Sequence, residues 1–411
     1  LKNHLHSYPL FITMANTSSR WGKSIVLVAI LFISSHLVAF SEGTGEFTGT
    51  AIQAKIDALT GQGGVVQLVQ GTYVLDRPIL LRSGVRLRGI GKDSILLAKS
   101  GSFLPLLAPA DLKKGVSNIE ISSLVLDGNS SLQTFTKNDC GKRIAATSLT
   151  QVDNVGLYLK KSQSIAVTNV IFKNFLNEAC MTLDASNLCF VACVFSNCCQ
   201  ATAPTNNFAQ AALYLRNTTD SLCLSNKLYS CHEGGICIGF RSHRNTVIGN
   251  LSEDSPSGEG ICIGCGNDNL ILANTVRRSS HGGKGSGAGI AVWACVGPKE
   301  ANPAARNVIA SNTVEHTGGT GIALFRADET RVLGNRVEYA NENRNKNLGG
   351  ISVHQADSVV IEGNQIMNTA LGAAIILRKS HKGSVRKNTL SKNPSTIEKI
   401  GCNATEIRDN P

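Results

Sequence analysis

The sequence predicts an all-β chain wound into about ten stacked parallel coils behind an N-terminal capping helix. Two recurring phrases and one amphipathic segment carry that expectation. The first phrase is a short apolar run, a small residue, Asn, then one residue and an aliphatic. It appears as Ser164-Ile165-Ala166-Val167-Thr168-Asn169, Ser221-Leu222-Cys223-Leu224-Ser225-Asn226 and Asn245-Thr246-Val247-Ile248-Gly249-Asn250. It returns ending at Asn274, Asn312, Asn335, Asn364 and Asn388, with Ser123 and Ala192 in the same place in two further copies. The step is 24 residues (226 to 250, 250 to 274, 364 to 388) or 23 (169 to 192, 312 to 335); longer steps hold one period plus a loop. A fixed period of that size marks a stack of supersecondary units.

The second phrase is Gly followed by alternating aliphatics, as in Gly235-Ile236-Cys237-Ile238, Gly260-Ile261-Cys262-Ile263, Gly289-Ile290-Ala291-Val292, Gly321-Ile322-Ala323-Leu324 and Gly350-Ile351-Ser352-Val353. Each is a period-2 strand. Two or three such strands per period cannot close a core alone, but stacked coils can, each strand pairing with its copy about 4.8 Å away. A buried Asn at a recurring turn would bond up and down the stack and satisfy backbone groups that are costly to leave unpaired. The Leu-x-x-Leu-x-Leu consensus of the rival leucine-rich solenoid is missing. The segment 51–59, Ala-Ile-Gln-Ala-Lys-Ile-Asp-Ala-Leu, reads as an amphipathic helix that shields the first open strand edge.

Composition agrees. At 411 residues the chain exceeds what one globular core usually holds. It has 42% apolar and only 17% charged residues, 5% aromatics, 40 Gly and 34 Asn. That balance excludes a disordered chain, the lack of Glu/Lys heptads excludes a coiled coil, and the single long apolar run excludes a polytopic membrane protein.

Residues 1–13 precede Met14 and read as upstream sequence. Arg20 and Lys23, the apolar run 25–40 and Ala39-Phe40-Ser41 before Glu42 follow the grammar of a cleaved secretory signal. The run is short for a bilayer span, so the expectation is a secreted chain with no stable membrane span after cleavage. The expected division is 1–41 upstream residues and signal, 42–110 cap and first coils, 111–395 repeats and 396–411 a C-terminal cap. Without the leader the chain holds 37 basic and 29 acidic residues, net +8, a bias toward acidic polymers. No basic run interleaved with aromatics points to nucleic acid. The 13 Cys show no zinc spacing, and export permits disulfides.

The helix, the Gly63-Gly64-Val65-Val66 and Gly71-Thr72-Tyr73 entry and the Asn repeats together resemble the right-handed parallel β-helix of the pectin-lyase-like superfamily, over nearly the whole chain after the leader. The resemblance implies that the Gly-Ile-x-Val strands form the first sheet, whose outer face binds saccharides in relatives. Fold alone assigns no reaction. Pleating puts Ile290 and Val292 inside and Ala291 and Trp293 outside. One outward column then reads Lys160, Asp184, Arg216, Gly239, Gly264, Trp293, Phe325, His354, Arg378, and its neighbour Tyr158, Thr182, Tyr214, Cys237, Cys262, Ala291, Ala323, Ser352, Ile376.

β-Elimination on a uronate needs a cation for the carboxylate, a base for the C5 proton and a donor to the leaving oxygen. Arg216, Lys160 and Tyr158 or Tyr214 are the candidates, and both cations are expected to be exposed. Asp184, Asn154 and Glu178 are candidate Ca²⁺ ligands. The same parts suit an epimerase, although the Asp-Pro-His motif of mannuronan epimerases is absent. A glycoside hydrolase needs two carboxylates, and the polygalacturonase pattern of paired Asp with Gly-His-Gly is not found. A bland ion ladder without chemistry fits the three charges as well. Trp293, Phe325, Arg326, His354 and Arg378, with Lys379, form a second cluster suited to stacking and holding an acidic polysaccharide. His232 and His281 read as turn residues. Cys237 and Cys262 are expected to form a disulfide between neighbouring coils. Asn129, Asn217 and Asn403 fit the glycan acceptor rule, whereas Asn250 should stay bare within the ladder. The reading is therefore a secreted lyase or epimerase on an acidic polysaccharide, with a hydrolase and a non-catalytic carbohydrate-binding protein as alternatives.

Overall fold

The computed structural model describes residues 37–39, 48–133, 140–200, 211–281, 287–297, 300–302 and 304–410. The expected signal lies outside them, apart from the strand Leu37–Ala39. Within the described residues no helix is long and apolar enough to cross a membrane.

The chain is a parallel β-helix with three faces, and nearly every strand pairs in parallel with its copy on the adjacent coil. The first face carries strands such as Ile236–Gly239, Ile261–Gly264 and Ala288–Trp293. The second carries short strands such as Thr246–Ile248, and the third strands such as Lys227–Tyr229. Register follows chemistry. Ile236, Ile261, Ile290, Ile322, Ile351, Ile375 and Ile397 stand directly above one another. Phe172 and Phe195 stack inside with centroids 4.7 Å apart and planes at 5°.

Helix α1 (Gly49–Ala58) closes one end. Thr48 caps it by accepting from the Ala51 amide, and Ile52 and Ile56 point into the core. Gln53 Oε1 accepts from Leu80 N at 2.7 Å while Gln53 Nε2 donates to Leu80 O at 3.2 Å. Those two bonds satisfy an edge strand that would otherwise stand open. At the other end, the segment expected to be a cap is a further rung: Ser395–Ile400 pairs with Ala373–Arg378, and Glu406–Arg408 with Ser384–Arg386.

Asn226, Asn250, Asn274, Asn312, Asn335, Asn364, Asn388 and Asn410 form one continuous ladder. Asn274 Oδ1 accepts from the Asn250 backbone N–H and side-chain Nδ2, both at 2.9 Å, while its own Nδ2 donates to Val247 O and Asn312 Oδ1. A second, shorter ladder, Asn245, Asn269 and Asn307, holds the other end of the second-face strands. The first repeats are corrected by one residue. Phe190 pairs with both Val167 and Cys223, so Cys193, not Ala192, stands below Asn226, and Asn169 and Ala192 align with Ser225. That column is left-handed backbone (Asn169 φ 54°, Ala192 φ 52°, Ser225 φ 54°, Ala273 φ 53°), a conformation that costs on the order of 1 kcal/mol for non-glycine residues. The ladder amides stabilise the turn against that cost. Asn250 is buried, as its place in the ladder requires.

Replacing Asn274 with Ala strips partners from several buried backbone and amide groups. The expected loss is about 3 kcal/mol or more in urea unfolding; a loss below about 1 kcal/mol would show that the ladder amides are not what holds the turn.

Candidate functional site

On the outer face of the first sheet, Lys160 pairs with Leu183, Leu183 with Arg216 and Arg216 with Gly239. The next rungs place Gly264, Trp293, Phe325, His354 and Arg378 in line. Most of the expected column is therefore present, with one correction. Asp184 and Thr182 are each one residue out: Leu183 and Met181 take their places. Thr182 faces inward and bonds to Thr218 Oγ1 at 2.8 Å. Asp184 sits at the corner (φ 52°), where its Oδ1 accepts from Asn217 Nδ2 at 2.6 Å. The inward preference of Leu at 183 misled the sequence reading, because this Leu is buried on the outside, under a covering segment.

That segment is residues 140–156, including helix α2 (Cys140–Ala145). Ala146, Val152 and Val155 lie with Tyr158, Met181, Leu183 and Tyr214 in a second apolar layer outside the barrel. Tyr158 is fully buried and its hydroxyl donates to Arg143 O at 3.0 Å. Lys160 is half-buried rather than exposed, and its ammonium donates to Ala146 O at 2.6 Å. Two of the four expected catalytic groups, Tyr158 and Lys160, thus hold the cover down. The expected Ca²⁺ ligands are likewise engaged. Glu178 is fully buried and takes the Arg143 guanidinium on both oxygens, at 2.9 and 3.2 Å, with Asp153 at 3.7 Å from Arg143. Asn154 donates to Gly128 O and accepts from Leu176 N. Among the described residues no group of three or more His, Cys, Asp or Glu is placed to hold a metal ion. Arg143 was missed by sequence reasoning, since nothing local distinguishes it from a surface Arg.

Beyond the cover the face opens. Arg216, half-buried, lies over the Phe240 ring at 4.2 Å and donates to the Tyr214 hydroxyl at 3.4 Å. Gly239 and Gly264 let aromatic rings lie flat on the sheet. A Cβ on Gly239 would meet Tyr214 Cε2 at 2.4 Å, and one on Gly264 would meet Trp293 Cη2 at 2.8 Å. Trp293 remains 36% exposed. Phe325 and His354 follow with centroids 5.3 Å apart, and Arg326 lies 5.5 Å from the Phe325 ring.

Four cations flank this strip: Arg216, Arg326, Arg378 and Lys379. None has a carboxylate partner among the described residues. Arg326 donates to Gln355 Oε1 and Arg378 to Asn347 Oδ1, while Arg378 Nε is buried with no hydrogen-bond partner. Elsewhere Arg residues bridge neighbouring coils to acids, as Arg244 does to Asp220, Arg306 to Asp268 and Arg386 to Glu362. Burial, then Arg378, Lys379 and Arg326, hold the His354 imidazole below its ordinary value of 6.5.

Cys237 and Cys262 are directly opposed, as expected, but both are free thiols. A hydrogen bond between them, then burial, push the Cys262 thiol well above its usual range, which makes it unreactive. Near Cys262, Glu259 was also missed: burial raises its carboxyl, and the Glu233 charge adds to the effect. Of the acceptor sites, Asn129 Nδ2 is bonded to Ala98 O and Asn217 to Asp184, while Asn403 is exposed.

Removing one member of the buried Arg143–Glu178 pair strands the other. Glu178→Leu should cost about 3–5 kcal/mol and release the cover to limited proteolysis. Unchanged protease resistance would show that the pair does not anchor it.

A family model described as "Periplasmic copper-binding protein (NosD)" matches residues 144–337, just under half of the chain. No curated protein matches the sequence. Among solved structures, the chain is similar to the A-modules of two Azotobacter vinelandii mannuronan C-5 epimerases. For AlgE6 the identity is 15% and the TM-score 0.67, covering 88% of this chain and 96% of that one; for AlgE4 they are 15% and 0.63, covering 87% and 92%. It is also similar to PfbA, a surface adhesin of Streptococcus pneumoniae, at 15% identity and a TM-score of 0.60, covering 87% of each chain. The ladders, the three-faced coil and these likenesses together make the chain a right-handed parallel β-helix of the pectin-lyase-like fold.

Proposed function

We propose that the chain is exported and acts on an acidic, uronate-containing polysaccharide laid along the open part of the first face, by abstracting the proton on C5 of a uronate ring. The observation that carries this reading is the aromatic strip flanked by cations that no carboxylate among the described residues neutralises. Sugar rings stack on Trp293 and Phe325 through their apolar faces. Arg326 and Arg378 take the uronate carboxylate, for which a planar guanidinium is well shaped. Neutralising that carboxylate acidifies the adjacent C–H. His354, held neutral by burial and by the surrounding cations, accepts the proton. The resulting electron pair then either expels the C4 glycosidic oxygen, which leaves as a hydroxyl with a proton from solvent and gives a C4=C5 unsaturated uronate, or takes a solvent proton on the other side, giving the C5 epimer. His354 returns its proton to solvent. The centre of chemistry thus moves from Lys160 and Tyr158, which hold the cover, to the rungs of Phe325, His354 and Arg378. The fold shared with mannuronan C-5 epimerases supports a uronate polymer as substrate. The leader pattern and the periplasmic description of the matching family support export.

Glu233 and Glu259, on neighbouring coils and with Glu259 pushed toward its protonated form, favour hydrolysis as the second reading. Products separate the two.

The test is incubation with pectate, alginate and glycosaminoglycans in D₂O. Proton abstraction predicts one of two signatures: ultraviolet absorbance from a C4=C5 unsaturated uronate if the electron pair expels the C4 oxygen, or deuterium at C5 if the carbanion is reprotonated. New reducing ends with neither deuterium nor that absorbance would sink the reading in favour of hydrolysis, and binding without any product would leave an adhesin-like module. His354→Gln should lower turnover by roughly 10²-fold or more. Arg326→Ala and Arg378→Ala should each weaken polymer binding by about ten-fold, with a shallower salt dependence. Because the base form of His354 persists to lower pH than an ordinary imidazole, the acid limb of kcat/KM is expected below pH 6.5, rising toward it in Arg378→Ala. A limb that Arg378→Ala leaves in place would remove His354 as the base.

A further inference from the structure

A groove of about 610 Å³ runs along a different edge of the coil, where the third face turns back to the first. Its lining includes Gln200, His232, Arg278, His281 and Glu342, and among the described residues Pro256 is the one apolar member. Its volume falls within the range of small-ligand sites, about 300–1,000 Å³. One wall is a column with a common backbone. Asn197, Ser230, Asp254, Arg278 and His316 each sit near the end of a third-face strand in left-handed backbone, at φ 52°, 51°, 60°, 49° and 53°. They occupy five successive coils, because the strands they follow pair in order. At about 4.8 Å per coil that wall is about 19 Å long, the proportions of an extended oligomer rather than of a compact metabolite.

The electrostatics differ from those of the aromatic strip. Here each charge is already answered within the groove or at its edge. Arg278 pairs with Asp254 at 2.7 Å and with Glu253. Glu342 takes His316 Nδ1 at 2.8 Å and His281 Nε2 at 2.7 Å. His232 Nδ1 lies 3.3 Å from Glu233. Among the described residues a charged ligand would find no uncompensated counter-charge, whereas hydroxyl groups, which both donate and accept, match a wall of amides, hydroxyl, imidazoles and carboxylates. Gln200 is fixed for this role, its Nε2 donating to Ser230 O at 2.9 Å and Cys198 O at 3.0 Å. An aromatic surface stands at the rim: Tyr339, 42% exposed, stacks on His316 with centroids 4.6 Å apart and planes at 9°.

We propose that this groove is a second carbohydrate site, taking a neutral oligosaccharide along the stack, distinct from the acidic-polymer strip. The inference stands on the groove alone and does not depend on the proposed chemistry of His354.

The full chain is titrated calorimetrically with neutral hexasaccharides (cellohexaose, xylohexaose, mannohexaose and laminarihexaose), with and without saturating oligogalacturonate or oligomannuronate. Single-site binding of at least one neutral hexasaccharide is expected, unchanged by the acidic oligomer and by Arg326→Ala with Arg378→Ala. His316→Ala and Tyr339→Ala should each weaken it by about ten-fold. Tyr339 is exposed, so its variant keeps the test valid if loss of His316 disturbs folding. The proposal is overturned if no neutral hexasaccharide binds, if the acidic oligomer or the strip variants abolish binding, or if both groove variants bind as well as the parent.

Discussion

Nearly every described strand of this chain depends on a copy of itself one coil away, and that dependence is polar as much as apolar. A coil has no internal partner for its backbone N–H and C=O groups, so register between coils must be kept wherever the chain bends as well as where it runs straight. The Asn ladders do this at the bends around the second face, where left-handed turn residues point backbone groups toward the next coil. Asn226 to Asn410 is one chain of amides in which each side chain completes the backbone of its neighbour. The Ile column inside the first face tolerates only the same register. Interior packing and turn satisfaction therefore select one alignment, and the outward residues inherit it.

That inheritance makes the outer face a lattice of sites about 4.8 Å apart, on which side-chain type alone decides the local property. Where Arg meets Asp or Glu on the next coil, the surface is closed electrostatically, as with Arg306 and Asp268. Where glycine lies beneath an aromatic ring, as Gly264 does beneath Trp293, the surface becomes a platform. Where cations lack acids among the described residues, at Arg326, Arg378 and Lys379, it keeps a free positive field. One scaffold thus presents a cationic aromatic strip on one face and a charge-balanced groove on another edge, without any change in backbone architecture.

The covering segment shows the limit of reading a lattice from its repeat. Tyr158, Lys160 and Leu183 occupy outward positions, yet they are buried or half-buried because residues 140–156 lie over them. A buried charge pair, Arg143 with Glu178, anchors the cover from partners 35 residues apart. Taking such a pair out of water is costly, so its presence ties that loop to one position rather than adding general stability.

Local periodicity was enough to read the coil, the helix that closes it, the burial of Asn250 and most of the outward column, because these follow from short-range alternation and a fixed step. The same periodicity misplaced Asn169, Thr182 and Asp184 by one residue, since a step of 23 or 24 does not say where within a turn the extra residue falls. Backbone pairing does. Which outward residues meet water was not legible either. Exposure at Lys160 or Trp293 depends on where a distant insert comes to rest, and the partner of a charge depends on which coil it faces. Sequence alone thus determined the repeat and the chemistry each coil carries; only the folded chain decided register at the corners, the covered and open stretches of the face, and the pairing of its charges, because those are properties of neighbours in space.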